Sequence, residues 1–290
     1  GVWCILALNA HVFAQGLAQK KEMKALIEEN YTLAQSQYKL LASLTPADSM
    51  PRNFNPSTQK AQNSNTEWWC SGFFPGALWY IYEYTRDEDI LKEAAARLAI
   101  LEKEKHYTGN HDLGFMMFCS FGNAYRVTCN PEYKTTIDTA AMSLATRYRP
   151  SIQSIQSWDK SENFNCPVII DNMMNLELLC WVTDMGGDKR FKNIAITHAN
   201  STLERHFRPD NSAWHILDYD LEAGKLTGKK TGQGYSDNSA WARGQAWALY
   251  GFTSMYRLTR DARYLQQAHK ISAFILNHPR LPADKIPNWD

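Results

Sequence analysis

Residues 72–105 read GFFPGALWYIYEYTRDEDILKEAAARLAILEKEK, and this stretch decides the fold. Residues 72–84 are nearly all apolar, whereas residues 88–105 carry a single apolar stripe. A helix that is apolar all round is buried, and a helix with one apolar face lies at the surface of a domain. The stretch therefore predicts a helical hairpin, in which the polar turn at residues 84–87 joins a buried first helix to an outer second helix.

The same pattern occurs three more times along the chain. The additional hairpins pair residues 113–127 with 132–148, residues 172–182 with 189–207, and residues 239–258 with 262–277. In every pair the first helix is the more apolar one, which predicts two concentric rings of helices. A solenoid would keep a constant repeat length, but the interval between successive turns grows along this chain. The pattern therefore predicts the all-α class and an (α/α)6 toroid of helical hairpins.

The number of helices is lower than a closed toroid of six hairpins requires. Together with residues 19–44, the four hairpins give nine predicted helices instead of twelve. We therefore expect the toroid to be incomplete in this chain and the domain to be truncated at its C-terminus. Residues 45–67 are rich in Pro, Asn, Ser and Thr and predict a loop, and residues 168–170 are the best candidate for a strand.

The composition argues against some classes of partner. Hydrophobic residues make up 44% and charged residues 21% of the chain, which is ordinary for a globular domain. The formal net charge is +1 and no stretch has the length of a transmembrane helix, so we expect neither nucleic-acid binding nor membrane insertion. Aromatic residues are the outlier, with ten Trp and fourteen Tyr. Such rings usually lie in a core, but they also form carbohydrate sites, because the C–H faces of sugars stack on them.

Residues 1–15, GVWCILALNAHVFAQ, resemble the end of a secretory signal peptide. A short apolar run leads to Val12-Phe13-Ala14, which fits a small-residue cleavage site. We interpret residues 1–15 as a signal-peptide remnant and residues 16–290 as one domain, which predicts a periplasmic or secreted protein. The alternative is that residues 1–15 begin a first core helix.

The cysteines do not form a metal-binding pattern. They lie at positions 4, 70, 119, 129, 166 and 180, and no two have C-x-x-C spacing, which argues against a zinc ribbon. Five cysteines remain if residues 1–15 are removed. An odd number on apolar helix faces predicts buried free thiols, and a chain of this size does not need a disulfide framework.

Two carboxylates occur in loops that come directly before predicted inner helices. Asp112 follows His111 at the start of the second hairpin, and Asp171 follows the apolar residues 167–170 at the start of the third. One interpretation is that both aspartates cap helix N-termini. The other is acid-catalysed chemistry at a sugar, because apolar neighbours raise the pKa of a carboxyl and paired carboxyls perform such chemistry. In a barrel the loops before the inner helices meet at one end, which would bring the two carboxyls together and favours the second interpretation.

The fourth inner helix carries an arginine and a tryptophan on one face. Arg243 and Trp247 lie four residues apart in the stretch 233–247. An arginine on an apolar inner helix requires an anion or a carboxylate as its partner. Arg243 therefore either clamps an acidic sugar or forms an internal salt bridge to Asp237 or another buried aspartate.

A metal site is a weaker hypothesis. His111 and Asp112 could belong to a metal-binding set, but His106, His198 and His206 fall on predicted surface helices or at their ends. The sequence has no H-E-x-x-H, no phosphate-binding Gly loop and no G-x-S-x-G. We therefore predict neither a metal nor another cofactor.

Four ordered motifs together resemble glycoside hydrolase family 88, the unsaturated glucuronyl hydrolases. They are WCSGFFPG at residues 69–76, HDLGF at 111–115, DNMMNL at 171–176 and WARGQAW at 241–247. The resemblance runs from about residue 68 to residue 290 and implies an (α/α)6 barrel catalytic domain, which in the family continues further. It implies that Asp171 is the general acid and base and that Asp112 is its partner. Residues matching the family's substrate-binding positions are Trp69, His111, His215, Gln233, Arg243 and Trp247.

The reaction that the resemblance implies is removal of a 4,5-unsaturated uronic acid from the non-reducing end of lyase-generated glycosaminoglycan oligosaccharides. A carboxyl protonates C4 of the vinyl ether, water adds at C5, and the resulting hemiketal opens. An unsaturated oligosaccharide is therefore the expected partner. The alternatives are an unsaturated rhamnogalacturonyl hydrolase on the same barrel, a sugar 2-epimerase with paired catalytic histidines, and a helical glycan-binding protein without turnover.

Overall fold

The computed structural model describes residues 20–288 with their side chains. The side chains of residues 1–15, the predicted signal-peptide remnant, lie outside the described part of the chain, and this assignment stays a prediction. A first helix, α1 (Val2–Leu44), packs on the first hairpin. In the described part of the chain, no helix is long and apolar enough to cross a lipid bilayer.

All four predicted hairpins are present. The first pairs α2 (Phe73–Thr85) with α3 (Glu88–Leu101), which continues as a 3-10 helix (Glu102–His106). The second pairs a π-helix (Gly114–Gly122) and α4 (Asn123–Thr128) with α5 (Pro131–Ala145). The third pairs a 3-10 helix (Ile170–Met174) and α6 (Leu176–Asp184) with α7 (Lys189–Arg205). The fourth pairs α8 (Ala242–Thr259) with α9 (Ala262–Leu276).

The hairpins form two layers, as their apolar patterns predict. In the inner layer, α2 contacts the π-helix, the π-helix contacts α6, and α6 contacts α8. In the outer layer, α3, α5, α7 and α9 each pack against the first helix of their own hairpin. Large side chains of the inner helices, including Leu78, Trp79 and Phe252, are completely buried in the core between the layers. This arrangement is an (α/α) barrel, which confirms the predicted all-α class.

Glycines let the inner helices approach one another closely. A Cβ atom at Gly72 would overlap the carbonyl oxygens of Phe115 and Met116 in the π-helix. A Cβ atom at Gly114 would lie 2.5 Å from the Cα atom of Asn175, beside α6. Both glycines belong to motifs that carry the family resemblance, and their absence of a side chain fixes how closely the site-bearing loops can meet.

The turns inside the hairpins share one capping chemistry. Side chains that accept a backbone N–H at the start of an outer helix are those of Asp87, Asn130, Asp188 and Asp261. Residues with a left-handed backbone that close the preceding inner helix are Arg86, Cys129 and Arg260. The donors and acceptors that helix ends leave unpaired are thereby largely satisfied at this end of the barrel. We call this end, with turns at residues 85–87, 128–130, 183–188 and 259–261, the turn end.

The prediction of a loop at residues 45–67 is wrong, because part of this segment forms a hairpin of strands. β1 (Met50–Asn55) pairs antiparallel with β2 (Lys60–Ser64). The Asn55 side chain accepts hydrogen bonds from the backbone N–H groups of Ser57 and Thr58, which tightens the turn. Most side chains of this hairpin are exposed on both faces, so the sequence lacks the alternation that would reveal strands.

A second set of strands lies among the loops of the other barrel end. β3 (Tyr148–Arg149) pairs with β4 (Ser154–Ile155), and β5 (Pro167–Ile169), β6 (Ile216–Asp220) and β7 (Lys225–Lys230) form a three-stranded antiparallel sheet. β5 confirms the predicted strand at residues 168 and 169, whereas Ile170 already belongs to the 3-10 helix that follows. The sequence does not reveal β6, because four of its five residues are buried and alternation is again missing.

The described cysteines are free thiols, but they are not uniformly buried. Cys166 and Cys180 are buried, whereas Cys129 is exposed in a turn. The prediction of buried thiols is therefore wrong for Cys129, whose left-handed backbone places it at the end of α4 rather than on an apolar helix face.

Candidate active site

The predicted site residues lie in the loops that precede the inner helices, and these loops bond directly to one another. The backbone N–H of His111 donates to the carbonyl of Ser157 at 2.9 Å. The backbone N–H of Ile170 donates to the carbonyl of His215 at 3.1 Å, and the ring of His215 accepts from Gly232. Loops from the second, third and fourth hairpins are thereby joined at one end of the barrel, which we call the loop end.

Asp112 lies at the loop end directly before the π-helix. Its side chain makes no capping hydrogen bond, so the interpretation of Asp112 as a helix cap is wrong. Instead, its carboxyl Oδ1 lies 3.2 Å from Nε2 of His111. Burial raises the pKa of Asp112 to about 7, against a lowering effect of the nearby Arg147 guanidinium. Asp112 can therefore exist in both protonation states near neutral pH.

Asp171 lies within the 3-10 helix that begins the third hairpin, and it is only 7% exposed. It does not cap this helix either, and its Oδ2 atom has no hydrogen-bond partner. Burial, and after it the charge of Asp112, raise the pKa of Asp171 to about 7 against the opposing effect of Arg243. The two carboxyls thus influence each other electrostatically, as expected for a convergent pair.

His215 faces Asp171 in a defined tautomer. Its Nδ1 atom accepts hydrogen bonds from the backbone N–H groups of Gly232 at 3.0 Å and Gln233 at 3.2 Å. Since burial lowers the pKa of His215 to about 4, the ring is neutral near pH 7, and its proton must reside on Nε2. This Nε2 lies 3.9 Å from Oδ2 of Asp171, and neither atom has a hydrogen-bond partner. The His215 N–H donor and the Asp171 oxygen acceptor are therefore both available to a third group placed beside them.

The other three histidines with strongly lowered pKa values are also neutral, and two of them are structural. Burial lowers the pKa of His111, His198 and His206 to about 3 in each case. As the sequence predicts, His198 lies on the outer helix α7 and His206 lies at its end, but both rings are buried because α7 presents its apolar stripe inward. His198 accepts a hydrogen bond from Ile155, and His206 lies 3.2 Å from the carbonyl of Val168. Within residues 20–288, no group of three or more His, Cys, Asp or Glu could hold a metal ion.

Arg243 points to the same end but pairs with no carboxylate in the described residues. Its guanidinium donates to Oε1 of Gln233 and lies over the ring of Trp241, 4.5 Å from the ring centroid. Asp237 instead accepts a hydrogen bond from the backbone of Thr231 at 2.6 Å. The alternative of a salt bridge between Arg243 and Asp237 is therefore wrong. The exposed Arg243 remains available to an anionic ligand.

Aromatic rings form a continuous wall beside the carboxyls. Trp69 packs edge to face on Phe115 at a centroid distance of 5.4 Å, and Phe115 packs in the same way on Trp247 at 5.2 Å. The indole of Trp247 lies beside the Asp171 carboxyl and slightly lowers its pKa, but its N–H has no hydrogen-bond partner. The wall contains residues from three inner helices or the loops before them, and it can stack against a sugar ring.

Sequence reasoning missed several residues that complete this site. Phe115 and Trp241 both lie inside the quoted motifs, so their positions in HDLGF and WARGQAW were the signal that could have identified them. Arg147, whose charge acts on Asp112, lies outside every motif. The structure places all eight predicted residues, Asp112, Asp171, Trp69, His111, His215, Gln233, Arg243 and Trp247, at the loop end.

Comparison with known proteins shows the family of the chain. A family model described as Glycosyl Hydrolase Family 88 matches residues 45–288. The chain is 40% identical to the unsaturated glucuronyl hydrolase of Formosa agariphila over 285 residues, which cover 98% of this chain and 71% of that protein. It is 34% identical to the unsaturated chondroitin disaccharide hydrolase of Streptococcus pyogenes over 249 residues, which cover 84% of this chain and 61% of that protein. Its fold matches the crystal structure of an unsaturated glucuronyl hydrolase specific for heparin with a TM-score of 0.87 and 41% identity, covering 90% of this chain and 70% of that one.

The chain belongs to glycosyl hydrolase family 88, since the family model and relatives above 30% identity both cover most of it. The family resemblance that the four motifs indicated is thereby confirmed. The members named above are hydrolases of unsaturated saccharides, and the chain is a glycoside hydrolase by its family.

Proposed function

We propose that the protein removes a 4,5-unsaturated uronic acid from the non-reducing end of glycosaminoglycan oligosaccharides that a polysaccharide lyase has produced. The observation that carries this proposal is the pair of carboxyls at the loop end, the half-buried Asp112 and the buried Asp171, whose pKa values are both raised to about 7. A carboxyl that titrates near neutral pH can both give and accept a proton under physiological conditions. The names of the similar proteins support the same substrate class.

Asp171 is the proposed general acid and base. In its protonated form it transfers a proton to C4 of the C4=C5 vinyl ether, and positive charge develops at C5 and the ring oxygen. The carboxylate formed in this step then accepts a proton from a water molecule as that water adds to C5. The hemiketal that results opens and expels the remaining saccharide, and Asp171 is again protonated. Its unpartnered Oδ2 atom suits both transfers, since no protein donor competes for it.

Asp112 and His215 do not transfer the proton themselves; Asp112 changes the pKa of Asp171, and His215 offers a hydrogen bond beside its carboxyl. The charge of Asp112 raises the pKa of Asp171, which keeps a larger fraction of Asp171 protonated at neutral pH. The Nε2–H of His215, 3.9 Å from Oδ2 of Asp171, can donate to a water or a sugar hydroxyl placed between them. Positioned proton transfer of this kind typically accelerates a reaction about 10²–10⁴-fold.

The anionic ring is held by a charge and an aromatic wall. Arg243 has no carboxylate partner among the described residues, and its planar guanidinium can bind the uronate carboxylate through two hydrogen bonds. Gln233, which accepts from Arg243, orients this guanidinium. Trp69 and Trp247 lie on the aromatic wall, where a sugar face can stack. His111 is the remaining residue assigned to substrate binding, and its Nε2 lies 3.2 Å from Oδ1 of Asp112.

The experiment that tests this proposal follows the substrate's own chromophore. The purified protein is incubated with lyase-digested hyaluronan, chondroitin and heparan oligosaccharides, and the ultraviolet absorbance of the conjugated C4=C5 bond is recorded. Loss of absorbance together with release of the shortened saccharide supports the proposal. Binding of these oligosaccharides without any loss of absorbance would instead establish a glycan-binding protein, and turnover only of a rhamnogalacturonan fragment would establish the alternative hydrolase.

We also propose that the protein acts in the periplasm or outside the cell. The support is the apolar run and small-residue site in residues 1–15. The N-terminal sequence of the protein recovered from fractionated cells tests this location. A mature N-terminus beyond residue 14 in the exported fraction supports it, and an intact N-terminus in the cytoplasm contradicts it.

A further inference from the structure

The two proposed catalytic carboxyls lie on different hairpins, so their separation depends on contacts between loops. Asp112 belongs to the loop before the π-helix, and Asp171 follows β5. No hydrogen bond joins the two aspartates directly among the described contacts. Proton transfer is sensitive to misplacement of the acid by as little as about 1 Å. Some other residues must therefore hold the two loops in a fixed relation.

Ser157 bonds to both loops at once. It is completely buried, and its carbonyl accepts the backbone N–H of His111, the neighbour of Asp112, at 2.9 Å. Its own N–H donates to the carbonyl of Pro167 at 2.8 Å, and its hydroxyl accepts the N–H of Ile169 at 2.9 Å. Pro167 and Ile169 are the first and last residues of β5, and Ile169 lies two residues before Asp171. One residue thus connects the Asp112 loop to the Asp171 strand through three hydrogen bonds.

Arg147 holds the segment that contains Ser157. Its side chain is 3% exposed, and its guanidinium donates to the carbonyl of Gln156 at 2.8 Å and to the carboxylate of Asp159 at 3.0 Å. The third donor bonds the carbonyl of Thr108, in the loop that leads to Asp112. The planar fork of an arginine can reach three acceptors in fixed directions, which a lysine cannot do. Arg147 therefore ties the segment around Ser157 to the Asp112 loop.

We propose that Arg147 and Ser157 are positioning residues that set the separation of Asp112 and Asp171 and thereby the rate of the proposed reaction. The inference rests on the proposed function, because it assigns a role within that reaction. Both side chains are buried, and neither residue belongs to the motifs of the family resemblance. Arg147 also acts electrostatically, since its charge lowers the pKa of Asp112 and of His111.

Variants of Arg147 separate its positioning role from its electrostatic effect on the pKa of Asp112. Arg147→Lys keeps the positive charge and loses the fork, whereas Arg147→Gln loses both. We expect both variants to lower kcat by up to about 100-fold with a much smaller change in KM. Only Arg147→Gln should raise the pKa of Asp112, followed by carboxyl NMR. The charged and titratable groups that act on or respond to this carboxyl are Arg147, His111, Asp171, Cys70 and Tyr107.

Arg97 provides a matched control. It is also 3% exposed, and it donates to the carbonyls of Thr45, Pro46 and Ser49 and to the carboxylate of Glu93, none of which lies in the loops that carry the carboxyl pair. Arg97→Lys and Arg97→Gln should lower the melting temperature as much as the Arg147 variants while leaving kcat and the pKa of Asp112 unchanged. Equal losses of kcat in the Arg147 and Arg97 series would overturn the inference.

A serine pair extends the test to variants that retain Arg147. Ser157→Ala loses only the hydrogen bond that the N–H of Ile169 donates, and Ser201→Ala loses one part-buried hydrogen bond that Ser201 donates to the carbonyl of Gln153. A lower kcat in Ser157→Ala but not in Ser201→Ala supports the inference even if Arg147→Gln does not fold. If the wild-type protein shows no turnover, the proposed function fails, and the pKa of Asp112 in Arg147→Lys and Arg147→Gln still tests the electrostatic contribution. An unchanged pKa in Arg147→Gln would then contradict the role of its charge.

Discussion

The aspartates at the two ends of the barrel have the same side chain and opposite properties. At the turn end, Asp87 and Asp261 accept backbone N–H groups at helix N-termini and pair with basic side chains, and these contacts lower their pKa values. At the loop end, Asp112 and Asp171 also lie next to helix starts, but they make no capping bond and burial raises their pKa values to about 7. Position near a helix start therefore does not decide the role of an aspartate. The role depends on whether backbone N–H donors and water can reach the carboxylate.

The same contrast applies to other polar groups. Buried side-chain atoms without a hydrogen-bond partner that belong to the loop end are His111 Nδ1, Asp171 Oδ2, His215 Nε2 and Trp247 Nε1. Unpaired buried atoms also occur elsewhere in the described residues, for example Trp79 Nε1 and Gln267 Nε2. Four such atoms in one site nevertheless indicate a place where a ligand completes the bonding, because buried polar groups are nearly always paired. At the turn end, capping side chains pair with the helix termini and stabilise the fold. At the loop end, donors and acceptors stay unpaired, which lowers local stability and leaves them available to a ligand.

The largest expected effect comes from removing the proposed acid. Asp171→Asn should lower kcat by about 10²–10⁴-fold, because an amide cannot donate the proton to C4. The fold and substrate binding should be retained, since the side chain keeps its size and loses only a buried charge. Steady-state kinetics with an unsaturated disaccharide, together with binding by calorimetry, provides the measurement.

Asp261→Asn is the matched variant at the turn end. Asparagine caps a helix as well as aspartate does, so this change should leave kcat and KM as in the wild type. Near-normal turnover in purified Asp171→Asn would remove Asp171 from the proposed role and would make the two ends of the barrel functionally equivalent in this respect.

The second prediction concerns pH. Asp171 must be protonated to act, so kcat should be highest below its pKa of about 7 and should fall about tenfold per pH unit above it. Since ionised Asp112 raises the pKa of Asp171, Asp112→Asn should move this falling limb to lower pH in addition to reducing the rate. A rate that stays flat from mildly acid to alkaline pH would count against a protonated carboxyl as the catalyst.

A smaller effect is expected from the substrate clamp. Arg243→Lys keeps the charge but loses the planar fork, so kcat/KM should fall roughly tenfold to 100-fold, as a charge-assisted hydrogen bond contributes about 1.5–3 kcal/mol. The melting temperature should hardly change, because Arg243 is exposed and has no salt bridge among the described residues. At the turn end, Arg126 also lies over an aromatic ring and pairs with Glu83. Arg126→Lys should leave the kinetics unchanged, and a kinetic loss equal to that of Arg243→Lys would refute the clamp.

The sequence predicts the hairpins because helical periodicity and the repeated turns are local signals. Six of the eight predicted site residues lie in the four motifs, which the barrel topology brings to one end, whereas His215 and Gln233 lie outside these motifs and were assigned from the family resemblance alone. The roles of all eight stay predictions. The sequence does not predict Arg147 or Ser157, because their contacts join segments whose proximity only the folded chain creates. The strands β1 and β6 escape prediction because both faces of the first are exposed and most of the second is buried, so neither alternates.

The smallest predicted effect is on stability, and its sign should differ between the two ends. Asp261→Ala removes a helix cap and should lower the free energy of unfolding by about 1 kcal/mol, with normal kinetics. Asp261→Asn should restore most of this loss, because the exposed ion pair with Arg263 contributes little. Asp171→Asn should instead keep or raise the stability above pH 7, since the wild-type protein must then bury an ionised carboxylate whose folded pKa lies above its unfolded value. Denaturant unfolding at pH 8 measures all three variants, and a loss of stability in Asp171→Asn as large as that in Asp261→Ala would show that Asp171 also stabilises the fold.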